Sequence, residues 1–360
     1  MLLYQKYFIR NIFPLLITVT FSVTSLVWIT QILKLLYLFD KGIKITDFFN
    51  LIILVLPSLL FVLLPIVTVI AVIYTYNDLK TARKLIILQV SGVNNLQLAR
   101  PAFFVALVVT LFAYYLSSAA MPLSYINLKS RLSFIKNNYI SNMIEEKTFN
   151  KISKDITLYI DKKLTDNTMT GLVVFDNRNL ENPSILFAET GILNIYDNDP
   201  VFKLNKGIRQ IYDKNGNLTQ LSFNSLKVRL SKDNSLAHER DKYNRDINEY
   251  YIQELLQPDS ELPAQKKIKL IAEGHQRLLW PLYNFALTFL ALAVFLRYPY
   301  SKKSTLMPML LTAMSVLVVT SLHFTLQNFA SRDLSFIIPC YINMFVAIVI
   351  GLYLFLRKTV

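Results

Sequence analysis

Six stretches of this chain contain no Asp, Glu, Lys or Arg: 11–33, 48–77, 101–128, 278–296, 304–331 and 334–356. A helix needs roughly 20 apolar residues to cross a bilayer core of about 30 Å, and each stretch has about that length. Apolar blocks of this kind cannot be buried one-sidedly in a small soluble core. They predict a polytopic α-helical membrane protein with six spans. The first stretch is followed by no small-residue cleavage site and exceeds the apolar length of a signal peptide, so it is expected to remain as a helix.

The stretches come in two groups of three, separated by a polar segment over 129–277. The expected organisation is therefore three spans in 1–128, an inserted domain over 129–277 and three spans in 278–360. The inserted segment holds 23 Lys+Arg against 20 Asp+Glu, so most of the +14 net charge lies on the short connections between spans. That distribution argues against nucleic-acid binding, which needs a basic soluble domain. It argues instead for orientation by the excess of Lys and Arg in cytoplasmic loops. With the amino terminus inside, the cytoplasmic set is Lys6, Arg10, Lys80, Arg83, Lys84, Arg100, Arg297, Lys302, Lys303, Arg357 and Lys358. The opposite short loops carry Lys34, Lys41, Lys44 and Arg332. Both termini are then expected in the cytoplasm and the large segment outside. Lys266, Lys267, Lys269 and Arg277 run against this count, but long translocated domains largely escape the rule.

Within 129–277, "ITLYIDKKL", "TGLVVFDNR", "SILFAETGILNIY", "VFKLNKGIRQIY" and "LTQLSFNSLKVRLS" alternate apolar and polar residues. Turn signals at 176–177, 197–200 and 214–217 separate them. Short strands at this spacing predict a β-jellyroll-like sandwich or open barrel. Helical stretches flank it at 123–136 and in "NEYYIQELLQ".

No P-loop, HExxH or GxSxG occurs, and "HERD" at His238 lacks a second metal ligand. The single cysteine, Cys340, allows no intrachain disulfide or thiolate cluster, and His238, His275 and His323 are scattered, so no metal or other cofactor is expected. Coupled carriers usually need ionisable groups inside the membrane, and His323 is the only candidate within the spans. Enzyme and secondary carrier are both disfavoured, and a passive element driven by a partner fits better.

The connection between spans two and three reads "KTARKLIILQVSG". At 100° per residue, Leu79, Ala82, Ile86, Val90 and Val93 share one face, with Lys80, Lys84 and Ser91 opposite. Asn77 and Asp78 can cap its start and Gly92 its end, which predicts a helix over about 78–92. Two uses fit: a helix lying on the lipid surface, or one inserted in a partner's groove, with Ile87 and Leu88 displayed among the cations.

"YQKYFIRNIFPLL", "LKTARKLIILQVSGVNNLQLARP", "KDITLYIDKK", "GLVVFD", "ILFAETG", "EGHQRLLWPL" and "IIPCYINMFVAIVIGLYLFLR" together resemble the lipopolysaccharide-export permeases, the LptF/LptG (YjgP/YjgQ) family, over essentially the whole chain. The strand segments and "NEYYIQELL" are more similar to the LptF branch than to LptG. The resemblance implies a non-catalytic permease in the inner membrane of a Gram-negative bacterium. Its implied partners are an LptG-like sister permease, a dimer of an LptB-like ATPase and an LptC-like periplasmic protein, and its cargo is lipopolysaccharide. It makes 78–92 the coupling helix, with Arg83, Lys84, Ile87, Leu88 and Gly92 at the ATPase. The family usually has a glutamate where this chain has Lys84, so the family's salt bridge at that point does not carry over.

A lipid A extractor needs an apolar cavity and cations near phosphates, which Arg and Lys both bind. Lys34, Lys41, Lys44 and Arg332 are the candidates, with snorkelling to the interface as the plain alternative. Phe13, Phe21, Trp28 and Tyr37 read as packing or belt residues of a span that can also line the cavity. Three other roles share this architecture: an LptG-type sister subunit, a permease for a different lipid, and a membrane-anchored sensor or scaffold with an extracytoplasmic β domain.

Overall fold

A computed structural model describes residues 3–36, 43–138, 144–152, 155–164, 168–179, 182–196, 199–212, 218–229, 245–298 and 306–357. Tyr37, Lys41, His238, Lys302, Lys303, Lys358 and the expected turns at 197–198 and 214–217 lie outside them. The chain divides into two compact units, Met1–Ile32 with Ile53–Ile126 and Arg245–Val360, and Leu33–Ile52 with Asn127–Asn244.

Among the described residues, six helical spans are long and apolar enough to cross a membrane. They comprise α1 (Leu3–Leu35), α2 (Ile45–Thr81), α4 (Asn95–Tyr115) continued by α5 (Met121–Asn138), α7 (Ala264–Arg297), α8 (Leu306–Ala330) and α9 (Ile337–Leu356). Between them lie the short helices α3 (Lys84–Val90) and α6 (Ile252–Leu256). The apolar window of α7 is 78% buried and that of α1 is 17%, so α7 is the axis of its unit and α1 keeps a wide free face.

Prolines organise the contacts around α7. A helical proline has no N–H, so the carbonyl four residues earlier loses its donor. In lipid that carbonyl must find another donor within the protein. Pro65 frees Phe61 O, which accepts the Trp280 indole N–H at 3.0 Å. Pro281 frees Arg277 O, which accepts the Ser117 hydroxyl at 3.0 Å. Pro101 frees Gln97 O, reached by the Tyr4 hydroxyl at 3.4 Å. Ser117 gets there because α4 ends in a π turn over Leu116–Ala120 before α5 resumes. On the other side of α7, Gly351 of α9 has no Cβ where one would stand 2.6 Å from the Phe289 ring, which lets the two helices close up.

A polar layer crosses α7, α8 and α9. His323 shares a hydrogen bond of 2.8 Å with Gln276, and Asn343 donates to the Tyr283 hydroxyl at 3.0 Å and to Val319 O at 3.1 Å. The charge-free stretch 278–296 is only the later part of its helix. Helix α7 begins fourteen residues upstream of the charge-free stretch and carries Glu273 and Arg277 within it. Arg277 is fully buried: its Nε donates to Glu273 at 3.0 Å, and its terminal nitrogens donate to Tyr250 O at 2.7 Å and Ile247 O at 3.1 Å. Three acceptors in different directions explain why a guanidinium is needed there. They tie the chain returning from the inserted domain to α7.

The other unit contains one six-stranded antiparallel sheet in sequence order. Its strands are β1 (Phe149–Lys151), β2 (Ile156–Lys163), β3 (Thr168–Asp176), β4 (Ser184–Tyr196), β5 (Asp199–Tyr212) and β6 (Leu218–Arg229). All five expected strands are present, and β1 is an addition too short to show alternation. Ile156, Leu158 and Ile160 of β2 join Leu172, Val174, Leu186, Phe202 and Leu204 in one buried cluster. The inward parity changes along a line crossing the sheet. In β3 Met169 is buried and then Leu172; in β4 Leu186 and Ala188 are buried and then Gly191 and Leu193. Pairing continues across this crease without slipping, Thr170 facing Thr190 and Leu172 facing Ala188. Gly171 permits it with φ +62, where an added Cβ would stand 2.7 Å from Asp161 Cβ. At the end of β3 the Arg178 guanidinium grips the buried Asp176 carboxylate through two nitrogens.

Candidate functional site

The connection between spans two and three is two pieces rather than the single helix expected over 78–92. Helix α2 runs on to Thr81, so Asn77 and Asp78 are interior residues and not caps. Arg83 then adopts φ 60, ψ 5, and α3 starts afresh at Lys84. A left-handed residue turns the chain sharply, which is why α3 does not continue the direction of α2. The far end is a Schellman stop: Gly92 has φ +86, its N–H reaches Gln89 O at 3.0 Å, and Val93 N–H reaches Leu88 O at 3.1 Å. The expected role of Gly92 as a helix end therefore holds. Asn94 opens α4 with a capping box, its N–H bonded to Gln97 Oε1 at 3.1 Å.

The break redistributes the side chains. Leu85 is buried, Ile86 and Leu88 are half-buried, and Ile87 and Val90 are exposed, at 64% and 83%. Leu88 therefore packs against the helical core while Ile87 points away, so the two do not share a face as expected. Val90 also leaves the apolar face assigned to it. Arg83 is exposed. Lys84 is held within the chain, donating to the Tyr7 hydroxyl of α1 at 2.7 Å and lying 5.2 Å from the ring centroid. The hydrogen bond to Tyr7 raises the Lys84 pKa above the ordinary lysine value and keeps the ammonium charged. Lys80, expected on the polar face, is buried, a displacement that the periodicity gave no sign of.

A second feature is an apolar groove of about 700 Å³ between α1, α2 and α4. Phe13, Phe21 and Trp28 line it from α1, Leu56 and Leu60 from α2 and Phe112 from α4. Its volume falls in the usual range for small-ligand sites. The lining includes the hydroxyl residues Thr20, Thr24 and Ser25 besides the indole of Trp28. Thr20 bonds back to Leu16 O at 2.6 Å, while the buried Thr24 hydroxyl has no hydrogen-bond partner among the described residues. Such a groove can hold hydrocarbon and no extended polar group.

The candidate cations do not form one cluster. Lys34 is exposed in the last turn of α1, where its charge suits the helix dipole. Lys44 is exposed just before α2, and its carbonyl accepts the first amides of that helix. Both flank a small apolar cluster containing Leu35 and Ile43. Lys41 lies outside the described residues. Arg332 is exposed in the turn after α8. Beside it Asp333 accepts Ser335 N–H at 3.0 Å, and the Ser335 amide and hydroxyl hold this carboxyl below its usual range. That corner therefore presents both signs of charge. No group of His, Cys, Asp and Glu among the described residues could hold a metal.

The family described as "Lipopolysaccharide export system permease LptF/LptG" matches residues 6–357. An uncharacterized protein of Rickettsia prowazekii (strain Madrid E), RP871, is 68% identical over 360 residues, covering all of both chains.

Proposed function

The chain belongs to the LptF/LptG family of lipopolysaccharide export permeases, and we propose that it acts there as a non-catalytic, LptF-like subunit. It pairs with an LptG-like sister in the inner membrane. Two copies of an LptB-like ATPase drive it from the cytoplasm, and lipopolysaccharide leaves toward an LptC-like protein. Both termini and α3 face the cytoplasm and the sheet faces the periplasm, a reading supported by the eleven cations on one set of short segments against four on the other.

The observation that carries this reading is α3. It is a short helix between two spans, stopped at both ends by left-handed residues and bearing an apolar knob, Ile87 and Val90, beside Arg83. A groove in a partner would accept such a knob. Lys84 contributes by fixing α3 to α1, so docking proceeds without the salt bridge usual in the family. The groove along α1 receives acyl chains. Lys34, Lys41 and Lys44 are the lysines proposed to meet lipid phosphates as point charges, and Arg332 can do so through its fork.

The deciding experiment purifies the native chain with its membrane partners under mild detergent. An ATPase present at two copies per permease pair is the expected result. A stable complex with no nucleotide-hydrolysing subunit would leave the sensor or scaffold role in its place.

A further inference from the structure

Lys80 stands where α2, α3 and α7 meet. It is 9% exposed, although it belongs to the basic set that orients the chain. Its ammonium donates to Tyr298 O at 2.8 Å and lies 4.7 Å from the centroid of the Phe295 ring. Tyr298 is the residue at which α7 ends, so Lys80 places a cation on the negative pole of that helix. A void of about 20 Å³ beside it is lined by Leu85, Ile86 and Gln89 of α3 and by Leu296 and Tyr298. A space of that size holds about one water, which a buried ammonium can use as a second acceptor.

Burying a lysine is costly unless its charge is met. An exposed Lys80 would serve membrane orientation equally well. Its inward position needs another reason, and the geometry supplies one. Beyond Lys80 the left-handed Arg83 uncouples α3 from the axis of α2, so α2 alone cannot carry a push on α3 in a fixed direction. Leu85 and Ile86 instead border the void at the end of α7, where Lys80 ties the end of α2 to Tyr298. Helix α7 in turn holds Trp280, Tyr283 and Arg277, through which α2, α9 and the returning segment are attached.

We propose that Lys80 is a positioning residue for coupling: it pins the end of α2, from which α3 departs, to the end of α7 beside the void that Leu85 and Ile86 of α3 share with Leu296 and Tyr298, so that movement of the docked ATPase reaches the core of the bundle. This rests on the permease reading above. Coupling energies between distant sites correspond to factors of about 5 to 150.

The test uses the full complex of this chain, its sister permease and the ATPase in vesicles, with lipopolysaccharide as cargo. Lys80→Met should keep wild-type ATPase stoichiometry and hydrolysis but release about tenfold less lipid per ATP. Lys80→Arg should restore that ratio, since it returns a cation to the helix end. A wild-type ratio in Lys80→Met would overturn the inference while leaving the permease reading intact. An ATPase that never binds the native chain would remove both.

A second measurement does not depend on the stability of that variant. Cysteines replacing Leu85 and Leu296 in a Cys340→Ala chain, joined by a short crosslinker, should leave transport within about twofold of the uncrosslinked complex, because α3 and the end of α7 move together. Arrest of transport by the crosslink would show that they must separate, and would sink the proposal.

Discussion

Trp280 donates its indole N–H to Phe61 O at 3.0 Å, and Pro65 is the reason that carbonyl is available. One residue removes a donor in α2 and another, 215 positions later in the chain, replaces it. Contacts of this kind bind the bundle where lipid provides no hydrophobic drive for helices to associate.

Trp280→Phe should lower the stability of the helical unit by about 1 kcal/mol, the usual size of an interhelical hydrogen bond in a membrane, besides any packing loss. Pro65→Ala restores the backbone donor to Phe61 O. In that background the tryptophan substitution should cost measurably less. Thermal unfolding of the four variants in detergent gives the cycle, and strict additivity would discard the relationship.

Arg277→Met leaves Glu273 without its partner and removes the donors from Tyr250 O and Ile247 O. A loss of about 3–5 kcal/mol is expected for breaking a buried pair in this way. Arg277→Lys should recover little of it, because one ammonium cannot reach three divergent acceptors. Limited proteolysis between 245 and 262 reports the release of the returning segment, and equal resistance in all three proteins would refute the anchoring role.

The sheet should lose stability in acid. Burial pushes the Asp176 carboxyl up, but the hydrogen bonds from the Arg178 side chain and backbone outweigh it, and the net effect is a pKa below the ordinary value. A carboxyl depressed on folding stabilises fully above its unfolded pKa, near 4, and loses that contribution as pH falls through the lower folded value. Hydrogen exchange of β2, β3 and β4 should therefore accelerate below about pH 4. Asp176→Asn should cost about 2 kcal/mol at neutral pH and flatten the acid dependence. An unchanged profile in that variant would assign the acid response to other carboxylates.

Ile87→Asp should detach the ATPase while the chain still folds, since Ile87 is mostly exposed. Leu88→Asp should damage folding as well, because Leu88 is half-buried against the helical core. Co-purification and thermal unfolding separate the two effects. Retention of the ATPase by Ile87→Asp would show that docking does not use this knob.

The spans and the strands were legible because each answers to one simple pattern, length without charge in one case and alternation in the other. The connection at 78–92 was not. Its apolar residues keep a helical period across Arg83, so periodicity alone could not register a left-handed break. Lysine is counted as polar by any such pattern, which hid the burial of Lys80. Arg277 sat just beyond a charge-free stretch and so marked an apparent boundary, whereas its charge is met inside the helix by Glu273 and two carbonyls. The crease in the sheet was invisible because each half-strand alternates correctly by itself. The apolar groove needed the helices to be assembled, although the aromatics of α1 that line it were visible as candidates. The charge count singled out Lys34 and Lys44 by their loops, and the structure adds that Lys34 sits in the last turn of α1 and Lys44 just before α2.

The π turn at Leu116–Ala120 has a bearing on what the third span can tolerate. One additional residue in a turn advances everything after it by about 100° around the helix axis. Met121 and Pro122 are buried and Leu123 is exposed only with that offset in place. Loss of a single residue between 116 and 120 would keep the helix continuous and its hydropathy almost unaltered, yet rotate the start of α5 by more than a quarter circle. The span would still cross the membrane, with a different side chain presented at every contact beyond the turn. Length in this segment is therefore an angular setting, and a change there acts as a rotation rather than as a shortening.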